Sequence, residues 1–326
     1  NTVEIARQYG ARIEHFTWID DYAAARNYSI QFATGDWIFF PDADELVDET
    51  AISTLREYLA QTPSDAVQLK MFQCPMGMLE KKAFSERVKI FRNHCGFRFI
   101  RPINERVVDA QGSYVTGSTF ECGGLFHWGT YLPEERMEEK RARYIRLYGK
   151  FLESHPQDAD VHYLLAVHQS GSNQPEESIH HYLEAAKYAG HIGLRQIAQS
   201  RAAWLLFELR RIPEAVQIIR EIREEGATPV SIQNLMACIS LAGNKPEIAL
   251  QLLRDITHMT IPNRAAGTFV DADQYRAFPY FLLGNAYKML GDVTAARQAY
   301  QTSLTFRESA PARKAIEELD EVCHVH

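Results

Sequence analysis

Long apolar runs are missing from this sequence. No stretch approaches the roughly 20 apolar residues that cross a bilayer, so a transmembrane segment is not expected. Cysteine is sparse: Cys74, Cys95, Cys122, Cys238 and Cys323 stand apart, with no CxxC pair. That speaks against a disulfide framework or a zinc site and for thiols in a reducing cytoplasm. Basic residues are outnumbered, 35 Lys and Arg against 42 Asp and Glu, for a net charge of -7. A broad nucleic-acid footprint is thereby excluded, though a small phosphate pocket is not. An initiator Met is absent as well. The chain opens at Asn1-Thr2-Val3-Glu4 and runs straight into a helical pattern, so an upstream segment is expected and the lack of a leader excludes little.

What is present is an ordinary globular composition, 46% hydrophobic and 24% charged over 326 residues, and a length that suits two domains of roughly 150 residues each. Helical spacing over residues 2–9, 21–33 and 49–60 alternates with strand-like stretches at 12–18, 36–40 and 66–72. The run Asp36-Trp37-Ile38-Phe39-Phe40 reads as a strand buried on both faces. This alternation predicts an α/β domain with a mostly parallel sheet. Further strand-like pieces fall at 86–91, 106–108 and 124–127.

From Pro133 strand signals almost vanish. Residues 134–153 read as a long charged amphipathic helix, taken with its flanks (133–154) as a link. Beyond it, Leu283-Gly284, Tyr287, Gly291, Ala296 and Tyr300 fall at the offsets of a tetratricopeptide unit. A second copy lies on Leu165-Ala166, Ser178, Tyr182 and Ala185, and looser ones on Ala203, Ala215 and Ile219 and on Ala237, Ala249 and Leu253. Small residues let paired helices approach, while Tyr182 and Tyr300 fill the gap to the next unit. A generic helical bundle is the competing account.

Chemistry concentrates at Asp42-Ala43-Asp44-Glu45, directly after the 36–40 strand. Ligands bind at the carboxyl ends of strands in parallel α/β domains. Two carboxylates there suit Mg²⁺ or Mn²⁺ bridging a diphosphate, but such a pair alone is a weak signal. Its surroundings are more specific: Asp20-Asp21-Tyr22-Ala23-Ala24-Ala25-Arg26-Asn27, Ala33-Thr34-Gly35-Asp36-Trp37-Ile38, Glu86-Arg87-Val88-Lys89-Ile90-Phe91-Arg92-Asn93 and Phe126-His127-Trp128-Gly129-Thr130-Tyr131 follow in order. Together they resemble the family-2 glycosyltransferases of the GT-A fold. The continuation through Pro156, Asp158 and Tyr163-Leu164-Leu165-Ala166 is similar to the subgroup joined to tetratricopeptide units, among which are sublancin-type peptide S-glycosyltransferases.

The resemblance implies a GT-A-like catalytic domain over 1–132, its first strand missing, and helical repeats over 155–326. It implies a nucleotide-sugar donor, a Mn²⁺ or Mg²⁺ ion, and a peptide or protein acceptor in the repeat groove; self-association into a homo-oligomer is the other use of such an array. Carried over by residue, Asp21, Arg26 and Asp42 line the nucleotide-sugar pocket, Asp44 and His127 bind the metal, and Glu105 is the general base of an inverting transfer. Bland alternatives stay open: Arg26 paired with Asp20 or Asp21, His127 as a core imidazole, Glu105 paired with Arg101 or Arg106, and Glu45 as a cap. The sequence departs from the family at Pro41, which removes a backbone donor, and at Asn104, where relatives carry His. These departures leave a second account open, a non-catalytic repeat scaffold with a decayed transferase domain.

Overall fold

Thr2–Gln8 forms a short helix, α1, with no buried residue. The next helix, α2 (Tyr22–Ile30), begins where the extended Asp21 accepts a hydrogen bond from the Ala24 amide (2.9 Å), the usual way to satisfy an orphan helix-start donor. Asn27 docks this helix. Its side chain donates to the Phe99 carbonyl (2.9 Å) and accepts from the Phe99 amide (2.8 Å), as a neighbouring strand would. The computed structural model describes residues 2–74, 83–129, 132–226, 228–261 and 272–324, in two units, Asn1–Pro156 and Gln157–His326.

In the first unit β1 (Trp37–Phe39) and β2 (Glu45–Val47) precede a 3₁₀ turn (Glu49–Ala51) and α3 (Ile52–Gln61). Then come β3 (Ala66–Gln73), β4 (Ala83–Arg92), β5 (Arg98–Ile100), β6 (Arg106–Val108), β7 (Ser118–His127) and α4 (Glu134–Ser154). Five strands make a sheet in the order β1-β4-β3-β7-β2, and β5-β6 pair separately. Period-two alternation along β3 sends Val67, Leu69 and Met71 to one face, where Leu55, Tyr58 and Leu59 of α3 pack. The opposite face carries Phe91, covered by Ala23 of α2 and by Phe99 and Val107 of the β5-β6 hairpin.

Three expectations are corrected. The sheet is mixed rather than mostly parallel: only β3 and β7 run parallel, while β1–β4, β3–β4 and β2–β7 are antiparallel. The helix–strand alternation missed that β3 and β4 pair directly. The strand expected to be buried on both faces is a three-residue edge, with Phe39 38% exposed and, among the described residues, only β4 beside it. An apolar run does not tell a central strand from an edge. Residues 12–18 join no sheet, because alternation alone provides no hydrogen-bonding neighbour.

The second unit is helical throughout its described residues: α5 (Ala159–Gly171), α6 (Pro175–Tyr188), α7 (Ile192–Glu208), α8 (Ile212–Glu224), α9 (Val230–Ala242), α10 (Pro246–His258), α11 (Ala277–Met289), α12 (Val293–Phe306) and α13 (Ala310–His324). Four consecutive pairs coincide with the four repeat copies. Ser178 donates to the Ala166 carbonyl (2.8 Å) across a separation of 12 residues. The same interval joins Ala203 to Ala215, Ala237 to Ala249 and Gly284 to Ala296. Ala166, Ser178, Ala203, Ala215, Ala237, Ala249 and Ala296 are all fully buried, so each pair meets through its smallest side chains. Gly284 is the strictest case: a Cβ there would stand 2.3 Å from the Tyr300 ring. Pro175, Pro213 and Pro246 start α6, α8 and α10, where a missing amide hydrogen costs nothing.

Candidate active site

Register brings the site together. Glu45, the first residue of β2, pairs with His127, the last of β7. The Trp128 amide then donates to the Asp44 carbonyl (3.1 Å), which sets the Asp44 carboxylate beside the imidazole, with His127 Nε2 3.4 Å from Asp44 Oδ2. His127 Nδ1 lies 2.8 Å from Gln73 Oε1 at the end of β3. With Nδ1–H donated to that amide oxygen, the neutral ring turns its Nε2 lone pair toward Asp44. Two electron-rich atoms at this distance are stabilised by a proton or a metal cation between them. With a proton on Nε2 between them, the hydrogen bond from the ring holds the Asp44 carboxyl below its ordinary value.

Gly129 lets this pair pack directly against the backbone. A Cβ on it would meet Asp44 Oδ2 at 2.3 Å and His127 Nε2 at 2.8 Å. The donor set fits a divalent cation of the Mn²⁺ kind: one carboxylate oxygen and one imidazole nitrogen, close enough for both to reach an ion at about 2.0–2.2 Å. Among the described residues no third His, Cys, Asp or Glu joins them, so further ligands to such an ion would come from solvent or substrate.

Asp42 faces elsewhere. Arg26 donates through Nη2 to Asp42 Oδ1 and through Nε to Glu105 Oε1. Lys89, 6% exposed at the middle of β4, donates to Asp42 Oδ2 (2.9 Å) and to Glu45 Oε2 (2.9 Å). Glu45 Oε2 also accepts the Asp42 amide (2.7 Å). The result is a chain Glu105–Arg26–Asp42–Lys89–Glu45 over the Phe40 ring, whose centroid lies 5.6 Å from the guanidinium carbon and 5.8 Å from the ammonium. Burial acts to raise Asp42, but Lys89 and Arg26 outweigh it and hold it below its ordinary value. Burial wins at Glu45 and lifts its carboxyl.

Helix α4 closes another side of the same unit. Tyr148 is fully buried, and its hydroxyl accepts a hydrogen bond from Asn104 (2.5 Å), a residue in the left-handed region (φ 48°). Two turns earlier Lys140 donates to the Gly129 carbonyl (3.1 Å). Between them, burial pushes the Tyr144 phenol up to about 12; Arg143 opposes this, while Tyr22, Glu105 and Asp44 add to it. Arg146 anchors the helix to Asp20 through two hydrogen bonds (2.7 and 3.0 Å). The helix expected to serve as a link thus makes these contacts inside the first unit.

The structure therefore brings Arg26, Asp42 and Glu105 into one charged chain and Asp44 and His127 into a neighbouring pair. Asp21 sits apart as the cap of α2. Arg26 pairs with neither Asp20 nor Asp21, and Glu105 is held by Arg26. Thr130 and Tyr131 of the histidine segment lie outside the described residues. Gln73, Lys89, Gly129 and Lys140 join the site without having been expected from the sequence. Lys89 was visible as a charged residue between the apolar Val88 and Ile90 of β4, where a buried position would need a partner.

Residues 1–116 match the family described as glycosyl transferase family 2. A TPR repeat-containing protein of Synechococcus elongatus is 38% identical over 109 residues, 33% of this chain and 26% of that protein; the match therefore spans about a quarter of that relative. Solved structures with similar helical regions include Cut9–Hcn1 of the APC/C (16% identity, 57% of this chain and 34% of that one, TM-score 0.46). A thermophilic TPR protein of Thermus thermophilus is another (13% identity, 57% and 98%, TM-score 0.40). Among the described residues no helix is long and apolar enough to cross a membrane.

Proposed function

We propose, starting from the glycosyl transferase family 2 domain that residues 1–116 carry, that this chain transfers a sugar from a nucleotide-sugar donor to a peptide or protein acceptor. The observation that carries the reading is the convergence of the Asp44 and His127 side chains, 3.4 Å apart, against a Gly129 that leaves no room for a side chain of its own. A converging carboxylate–imidazole pair is suited to a cation and the phosphate oxygens that accompany it. A divalent ion bound there supplies charge neutralisation for the departing diphosphate.

The chain's own residues supply the rest. Gln73 fixes the ring of His127, as partners of metal-ligating histidines do. Arg26 and Lys89 hold Asp42 from two sides, so its carboxylate reaches the donor's sugar or ribose in a fixed orientation. Glu105, whose side chain is 13% exposed and oriented by Arg26, is assigned the acceptor's proton as the new bond to the anomeric carbon forms. The helical repeats are assigned binding of the peptide or protein acceptor, since helix-pair arrays present extended concave surfaces.

Incubating the protein and Mn²⁺ with a panel of sugar nucleotides, and scoring nucleoside diphosphate release, tests the reading. Release with one donor, abolished by Asp44→Asn, is expected. Donor binding without turnover on any acceptor, or no binding at all, would favour a scaffold role instead. If deletion of the repeats (residues 157–326) leaves transfer to short peptides undiminished, acceptor binding by the repeats is wrong.

A further inference from the structure

Charge in the Arg26–Lys89 chain is already neutralised from within. Arg26 serves Asp42 and Glu105, and Lys89 serves Asp42 and Glu45. Two cations thus stand against three carboxylates, with Asp44 close by, and such a surface repels a diphosphate. The guanidinium expected from the sequence to grip phosphate has its donors turned to carboxylates on both sides.

A different cation stands at the Asp44–His127 pair. On α4 the positions at i+4 and i+8 from Lys140 are Tyr144 and Tyr148, and the same stripe buries Leu147 and Leu152. Lys140 therefore occupies an inward position that the pattern would give to an apolar side chain. Its ammonium donates to a neutral acceptor, the carbonyl of Gly129, the residue against which Asp44 and His127 pack. Among the described residues it makes no ion pair. Half-buried cations normally have a carboxylate partner. Burial lowers its affinity for a proton and Arg143 lowers it further, with Asp44 opposing.

We propose that the Lys140 ammonium hydrogen-bonds the diphosphate of the sugar nucleotide, making α4 part of the donor site. The assignment rests on the transferase reading above. An anion beside Asp44 and His127 lies within the reach of this flexible point charge, and a diphosphate supplies the ion-pair partner that Lys140 lacks among the described residues, where Asp44 acts on it only at longer range. Arg26 is correspondingly a positioning residue for Asp42 and Glu105.

Calorimetric titration of the full chain with UDP, GDP, ADP, CDP and dTDP, with Mn²⁺ present, tests this on wild type, Lys140→Met and Lys140→Arg. A hydrogen bond to a charged group predicts that Lys140→Met weakens the nucleotide the wild type prefers by about 10-fold or more. Lys140→Arg is expected to stay within about 3-fold, because it keeps the charge, and both variants should melt with the wild type. Undiminished binding by Lys140→Met, or equal weakening in both variants, overturns the role of Lys140 and leaves the transferase reading standing. A wild type that binds none of the five nucleotides overturns both.

Discussion

His127 presents Nε2 to Asp44 Oδ2 at 3.4 Å, although the two residues lie on opposite sides of the sheet domain's sequence. The pairing of Glu45 with His127 at the adjoining ends of β2 and β7 makes the meeting unavoidable, because a one-residue slip would turn the imidazole to the other face of the sheet. Gln73, on the far side of β7, pairs with His127 in the parallel register and also holds its ring. Backbone and side chain thus fix the same geometry.

Gly129→Ala tests whether the close approach of that pair is functional. The added methyl would stand 2.3 Å from Asp44 Oδ2, so the two side chains must separate. Expected is a loss of about 10-fold or more in Mn²⁺-dependent nucleoside diphosphate binding, with a melting temperature close to that of the wild type. Binding equal to the wild type would remove the close approach of Asp44 and His127 from any role at the site.

Lys89→Met addresses stability. It leaves Glu45, whose side chain is 1% exposed, without its cation, and leaves Asp42 to Arg26 alone. Breaking a buried pair costs about 3–5 kcal/mol; the low end is expected here, since Glu45 is already lifted toward its neutral form by burial. Urea denaturation of the variant, and of Lys89→Met/Glu45→Gln, measures this. Partial recovery in the double variant is expected, and a single variant as stable as the wild type refutes the pairing.

Most of what positions the site was legible in the sequence, because it is local. The Arg26–Asn27 step and the acidic turn after the aromatic strand are short-range patterns, and the buried small residues of the repeats recur at one interval; the capping role of Asp21, expected instead in the sugar-nucleotide pocket, was not read. Strand direction was not legible: alternating side chains describe a pleated surface and are silent about which neighbour it pairs with, so the antiparallel β3–β4 pair was missed. Lys140 was hidden for another reason. In a helix dense with charge, from Glu134 to Lys150, one inward lysine cannot be told from the solvated ones until the packing of Tyr148 and Leu147 fixes which face is inside.

The repeat unit carries a pH response. His162 Nδ1 lies 2.9 Å from His181 Nδ1, so the pair accommodates one proton between the rings and resists a second. Burial, then His162 and His180, depress His181 from 6.5 to about 4, with Glu184 opposing; the Tyr188 ring stacks on His162. A depressed imidazole takes its proton more readily in the unfolded chain. Stability is therefore full above about 6.5 and is lost as pH falls toward 4. Melting is expected at lower temperature at pH 5 than at pH 7.5, with a smaller drop in His181→Gln. Equal drops in both proteins would assign the response elsewhere.

Glu105→Gln separates two uses of that residue. The amide oxygen can still accept the hydrogen bond from Arg26 Nε, so the arrangement of Arg26 and Asp42 should survive. What disappears is the capacity to take a proton from the acceptor. If Glu105 is the base, kcat falls by about 10²–10⁴-fold while the donor's dissociation constant stays within a few fold. If Glu105 only steadies Arg26, the glutamine does that work nearly as well and kcat hardly moves. A substitution that removes both the charge and the acceptor, Glu105→Leu, lowers activity under either role, so the contrast between glutamine and leucine carries the test. Near-wild-type turnover in Glu105→Gln alongside impaired Glu105→Leu would make Glu105 a positioning residue and return the acceptor's proton to another group.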